Sequence, residues 1–244
     1  MASVTSLCRW LFQEPPGSRR ESEGQYAYAL EEMNGPIARV EDGIIGPYSA
    51  ELKEGQWFKI PRTSCPALNL HGLGTQLSIV AWVKRKQKSS KECETIAGMW
   101  NETNSARQYC LFLNLGIWSS ANQVCGHLSS TGAPSPDYSY CMEATIGQSA
   151  VPWNEWQQVA VTFDGIWAKA YLNGKLDQRP GLSPYFWPCV IHDGGDQGAD
   201  FTVGSVFRSG TMGNWFVGQL GGLAVYDHAL TPTQIHELYV CRSV

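Results

Sequence analysis

The sequence predicts an all-β protein, an antiparallel two-sheet β-sandwich closed by one short C-terminal helix. Short apolar runs of period two recur along the chain, separated by Gly, Pro, Asn and Asp. Asp164-Gly165 and Asn173-Gly174, dipeptides that supply the positive φ of tight hairpin turns, each lie beside such runs. Helix-start chemistry occurs only near the end, where Thr231 can cap, Pro232 suits the first helical position and Gln234 completes a capping box.

The strands expected in order are 8–12, 56–60, 77–83, 94–100, 109–115, 123–128, 138–144, 156–163, 168–172, 201–206 and 216–226. Alternate residues of a strand face opposite sides of its sheet. Ile79, Ala81, Val83, Leu111, Leu113, Val159, Val161, Phe163, Val203, Leu223 and Val225 are therefore expected in the core. Ile235, Leu238 and Tyr239 give the final helix one apolar stripe. No repeat, low-complexity tract or linker divides the chain, so residues 1–244 are expected to form one domain.

An apolar content of 43% with 16% charged residues describes a chain able to fill a core, and argues against disorder. A net charge of −4 gives no electrostatic footprint for nucleic acid. The basic run Lys84, Arg85, Lys86, Lys88 and Lys91 is expected to be a solvated loop. No apolar stretch approaches the roughly 18 residues that suggest a membrane span, and Met1 to Trp10 lacks the pattern of a secretory leader. The eight cysteines show no C-x-x-C spacing, so either disulfides or buried thiols are open to them.

Three stretches carry a resemblance: SIVAWVK; WNEWQQVAVTFDGIWAKAYLNGKLD; and FTVGSVFRSGTMGNWFVGQLGGLAVYDHALTPTQIHELY. With the opening CRWLF and GPYSAELKEGQWFKIPR, they resemble laminin-G-like and pentraxin-like domains of the concanavalin A-like jelly-roll class. The resemblance implies a jelly-roll sandwich and an extracellular, cell-surface or periplasmic setting. It leaves function open among lectins, adhesion modules, glycosidases and lyases.

In glycan-active members of this class a polar sheet face holds the sugar. Strand parity sets Gln108, Cys110, Phe112 and Asn114 opposite the apolar face of their strand, and likewise Cys125 with His127, and Cys141 with Glu143. Gln108, Asn114, His127 and Glu143 are thus expected on one polar face. The loop 99–107, with Trp100, Asn101, Glu102 and Arg107, is expected as its rim. A carbohydrate-binding module is the expected function. The alternatives are a polysaccharide hydrolase or lyase using His127 and Glu143, and a protein-adhesion module without a sugar site. The carboxylate run of the β-glucanases is absent, as are the G-x-S-x-G and H-E-x-x-H motifs.

Pentraxin-like members hold calcium just after the strand that here reads Phe201 to Gly204. In this chain Arg208 stands where an acid is wanted, so that site is not expected. Asp193, Asp196 and Asp200, set among glycines, form a different candidate calcium loop; no organic cofactor is expected. The midpoint between Cys125 and Cys141 is Ala133, inside the breaker-rich run 131–137, which predicts that the two face each other across a hairpin and could form a disulfide. Cys93 and Cys110 are similarly centred between Asn101 and Glu102.

Overall fold

A computed structural model describes residues 5–244, so the start of the segment read for a leader lies outside the described residues. Two sheets face each other. The first runs in the order Lys175–Leu176, Trp167–Leu172, Trp156–Phe163, Leu77–Arg85, Gly218–Tyr226, Ser49–Leu52 and Ala38–Val40, with Cys8–Trp10 and Tyr185–Phe186 attached. The second runs Ala144–Ala150, Gln123–Leu128, Ala106–Leu113, Glu94–Asn101, Phe201–Val203, Trp57–Ile60, Ala29–Met33 and Arg20–Glu21. Its hairpin of Val206–Arg208 and Thr211–Gly213 joins by a parallel bridge from Phe207 to Asn101.

One apolar cluster fills the space between the sheets and extends in sequence from Leu7 to Val225. Every residue expected to face the core, from Ile79 to Val225, belongs to it. Burying one such large side chain contributes about 1.5–3 kcal/mol, so alternation over these strands accounts for the register. Both expected turns form. Asn173 and Gly174 take φ of 50° and 74°, the paired positive values of a two-residue hairpin between Leu172 and Lys175. Asp164 accepts hydrogen bonds from the backbone N–H groups of Ile166 and Trp167.

The outer side of the first sheet is also apolar, with Val80, Trp82, Ala160, Ala224 and Tyr226 buried there. Its cover is the Pro232–Val240 helix. Thr231 and Gln234 form the reciprocal capping box, and Ile235 is fully buried while Tyr239 stacks on Trp82 at 5.6 Å. The Trp82 indole N–H donates to the Ser243 carbonyl at 2.9 Å.

Several expectations are corrected. The basic run is not a solvated loop: Arg85 is wholly buried, forms a bidentate pair with Glu94 at 2.7 and 2.9 Å, and lies 3.7 Å from the Trp153 ring. Burial lowers the pKa of Lys88, which donates to the carbonyls of Cys93 and Trp215. The strand expected at 138–144 begins only at Ala144, because Pro134, Pro136 and the positive φ of Gly132 and Asp137 keep the preceding stretch in turns. Cys125 therefore opposes Ile146 on one side and Phe112 on the other, not Cys141. Cys110 likewise opposes Gly98, not Cys93. All eight cysteines are free thiols.

Candidate functional site

The outer side of the second sheet holds the candidate site. Parity is as expected in this sheet, with Tyr109, Leu111 and Leu113 turned inward and Cys110, Phe112 and Cys125 outward. That outward face is not solvated, however. Leu115, Ile117 and Cys141, from the loops that follow the Ala106–Leu113 and Gln123–Leu128 strands, pack over it and make a third apolar cluster. What remains open is a cleft of about 280 Å³ at the edge of this loop roof.

Four of the expected residues meet in the cleft: Trp100, Glu102, Arg107 and His127. Trp100 is the penultimate residue of the strand Glu94–Asn101 and stacks on His127 with ring centroids 4.9 Å apart, while Phe112 meets His127 edge-on at 5.5 Å. His127 Nδ1 lies 3.0 Å from the backbone carbonyl of Glu143, so this histidine is tied to the main chain and not to the carboxylate. Burial pushes the His127 pKa down to about 4, leaving the ring neutral at pH 7. The Glu143 carboxylate turns to Cys141 and Ser135, at 2.9 and 2.7 Å. Burial alone would raise its pKa, but those hydrogen bonds outweigh it and hold the group below the usual carboxylate value. Neither member of the expected acid/base pair is thus tuned toward neutrality, as proton transfer at pH 7 favours.

Arg107 is 3% exposed and donates through Nη1 to the Gly132 carbonyl at 2.9 Å. Burial lowers its pKa, opposed by the charge of Glu102, yet a guanidinium stays protonated in proteins. Among the described residues no carboxylate comes within 4.0 Å of it, which leaves a desolvated cation without an ion pair beside the cleft. Facing it, Arg208 donates to Glu92 and Asn214, both at 2.8 Å, and Asn214 donates through Nδ2 to Glu102 at 3.3 Å. Arg208 Nε is buried without a hydrogen-bond partner and stands 3.9 Å from Glu102.

Tyr140 lines the mouth of the cleft and is 56% exposed, with Trp118 and Tyr138 also exposed and 6.5 Å apart. Sequence reasoning missed Arg208, Asn214 and these three rings. A clue lay in the sequence for the rings, since large aromatics in Gly/Pro/Ser-rich loops lack strand neighbours to bury them.

The other expected site residues lie elsewhere. Asn101 opens into a neighbouring hollow. Gln108 is buried and hydrogen-bonds Arg62 and Asn69. Asn114 has φ 61° and accepts from the Asn122 N–H, so it shapes a turn. The three aspartates of the expected calcium loop do not converge. Asp193 faces Arg62 at 3.1 Å and His71 at 3.4 Å, whereas Asp200 accepts from the Arg62 N–H and faces Lys59. Asp196 lies in the short turn Gly195–Gln197. Cationic and backbone partners occupy the Asp193 and Asp200 carboxylates, and among the described residues no three His, Cys, Asp or Glu side chains are grouped to hold a metal.

The family described as the concanavalin A-like lectin/glucanases superfamily matches residues 53–236. No curated protein matches the chain. Among solved structures, domain 4 of AbnA, an extracellular GH43 arabinanase from Geobacillus stearothermophilus in complex with arabinotriose, is 21% identical. It has a TM-score of 0.56 over 84% of this chain and 82% of that domain. The CBM40 of a Ruminococcus gnavus IT-sialidase, bound to α2,3-sialyllactose, is 17% identical with TM-score 0.56 over 78% of this chain and 96% of that one. The botulinum neurotoxin type G receptor binding domain gives 0.61 at 13% identity over 98% of this chain, which spans 52% of it. At these identities the likeness is one of fold.

Proposed function

The chain belongs to the concanavalin A-like lectin/glucanases superfamily, and on that premise we propose that it is an extracellular carbohydrate-binding module whose glycan enters the cleft beside Trp100. One observation carries the reading: the buried guanidinium of Arg107 borders the cleft without a carboxylate partner, while the partly exposed Arg208, paired with Glu92, lines the same cleft. Such groups favour a ligand that brings oxygen acceptors, since an unpaired buried donor costs about 1–3 kcal/mol. A sugar ring supplies hydroxyl pairs, and a carboxylate on it would complete Arg107 bidentately. Tyr140 offers an exposed ring on which the apolar face of a sugar can stack. Two structural relatives hold arabinotriose and α2,3-sialyllactose.

The binding reading is favoured over a hydrolase or lyase by the electrostatics of His127 and Glu143, which are held neutral and ionised respectively at pH 7. The test is a glycan array probed with the wild-type chain and with Arg107→Met. Binding by the wild type that falls tenfold or more in the variant supports the proposal, and a wild type that binds no arrayed sugar removes it.

A further inference from the structure

Next to the cleft lies a second hollow of about 340 Å³. The two share Trp100, and the Val206–Gly213 hairpin stands between them. Strand alternation makes the division: Phe207 and its cross-strand partner Met212 line the second hollow, whereas Arg208 lines the first. Asn101 and Glu102, adjacent in sequence, divide in the same way.

Two polar atoms at this second hollow have no partner. Trp57 Nε1 and Thr202 Oγ1 are both buried without a hydrogen bond, on residues that line it, and Thr202 is only 7% exposed. Buried donors of this kind are uncommon and call for an acceptor. Neighbouring polar groups are arranged to help. Asn101 spends its side-chain oxygen on the Asn104 N–H at 2.9 Å, which leaves the amide nitrogen for a ligand, and Lys59 pairs with Asp200 at 3.5 Å. Trp57, Phe207 and Met212 supply apolar surface beside these donors. A small lining of donors set among aromatic and thioether surface suits one sugar ring, with hydroxyls at its rim and C–H groups on its faces. Each hollow, at about 280 and 340 Å³, lies near the lower bound of the roughly 300–1,000 Å³ of sites for drug-sized ligands.

We propose that the second hollow is a further sugar subsite, so that the ligand is an oligosaccharide crossing Trp100 with a ring in each hollow. This rests on the carbohydrate-binding reading of the first cleft. Trp57 Nε1 and Thr202 Oγ1 bond hydroxyls of the outer ring, and its affinity adds to that of the ring held by Arg107.

The test uses the full chain and an array of mono- to hexasaccharides of neutral, amino and acidic sugars, followed by calorimetry on the hits. The wild type should bind oligosaccharides at least fivefold more tightly than the matching monosaccharide. Trp57→Phe, which keeps a smaller aromatic ring without the donor, and the near-isosteric Thr202→Val should lose that gain while monosaccharide affinity stays unchanged. In the unmutated chain the Trp57 indole N–H resonance should move with a bound trisaccharide and stay in place with the monosaccharide, a readout independent of how the variants fold. Oligosaccharides no tighter than monosaccharides, or an indole resonance that ignores both, overturns the second subsite and leaves the first standing. A wild type that binds nothing on the array overturns both.

Discussion

The two outer faces of the sandwich begin from the same pattern and end differently. Each is the reverse side of a strand set whose inner residues fill the common core, and each carries large apolar groups, Trp82 and Tyr226 on one, Phe112 and Trp100 on the other. The first is covered by a capped helix that presents an apolar stripe, and the polar groups left unpaired on that side, Tyr171 Oη and the Gln158 amide, are sealed from solvent. The second is covered by loops, whose polar backbone and side chains cannot all be paired within the sheet below. At the seam between roof and strands Arg107 is hydrogen-bonded to the Gly132 carbonyl but has no ion pair, and Arg208 Nε has no hydrogen-bond partner. On this face the cover leaves an open cleft, although both sheets are built on the same alternation.

Breaking the helical cover should have the largest effect on stability. Trp82→Ala removes the stack on Tyr239 and the bond to the Ser243 carbonyl, and should cost about 3–5 kcal/mol, measured by denaturant unfolding, while glycan affinity in the surviving folded chain stays unchanged.

The loop-covered face should reveal itself by acid. His127 titrates near 6.5 when unfolded and at about 4 when folded. Between these values the unfolded chain binds a proton that the folded chain does not, so stability is full above about pH 6.5 and falls as pH drops toward 4. The loss should reach roughly 3 kcal/mol. Unfolding free energies measured from pH 7 to 4 should show this slope in the wild type and lack it in His127→Phe; equal slopes would mean that the histidine is not sealed under the roof.

A smaller step sharpens the contrast at the helix. Thr231→Ala removes the capping hydroxyl and should cost about 1 kcal/mol, read as a lowered unfolding midpoint, with no change at the cleft. Smallest in stability is Tyr140→Ala on the cleft mouth, expected within about 0.5 kcal/mol of wild type. Its glycan affinity should nevertheless fall severalfold by calorimetry, so stability and binding separate on the loop-covered face alone.

These two faces also differ in how far the sequence revealed them. The helix was readable because capping box, proline and stripe are local signals within residues 231–239. The inward strand residues were readable for the same reason. The loop roof was not, because Leu115, Ile117 and Cys141 reach the strands by long-range packing that no periodicity records. An outward face read as polar from Gln108, Asn114, His127 and Glu143 proved to be roofed, and only His127 of the four lines the cleft. Hairpin arithmetic failed at Cys125 and Cys141 since it assumed an even ladder, while this pair of strands carries a register shift between Gln123 and Cys125 and starts its second strand at Ala144. The strands Ala29–Met33 and Ala38–Val40 went unread because they lie toward the sheet edges, where Glu31, Glu32 and Arg39 interrupt any apolar run.

The thiols under the roof offer a clock. Burial raises the pKa of Cys110 and Cys141 and brings Cys125 to about 12, so at neutral pH these three buried thiols are protonated and screened from reagents. Cys189 and Cys241 are exposed and can be alkylated at once. Any slower labelling of these three must wait for the loops to lift, and its rate would time the breathing of the roof, with a bound ligand expected to stretch the interval.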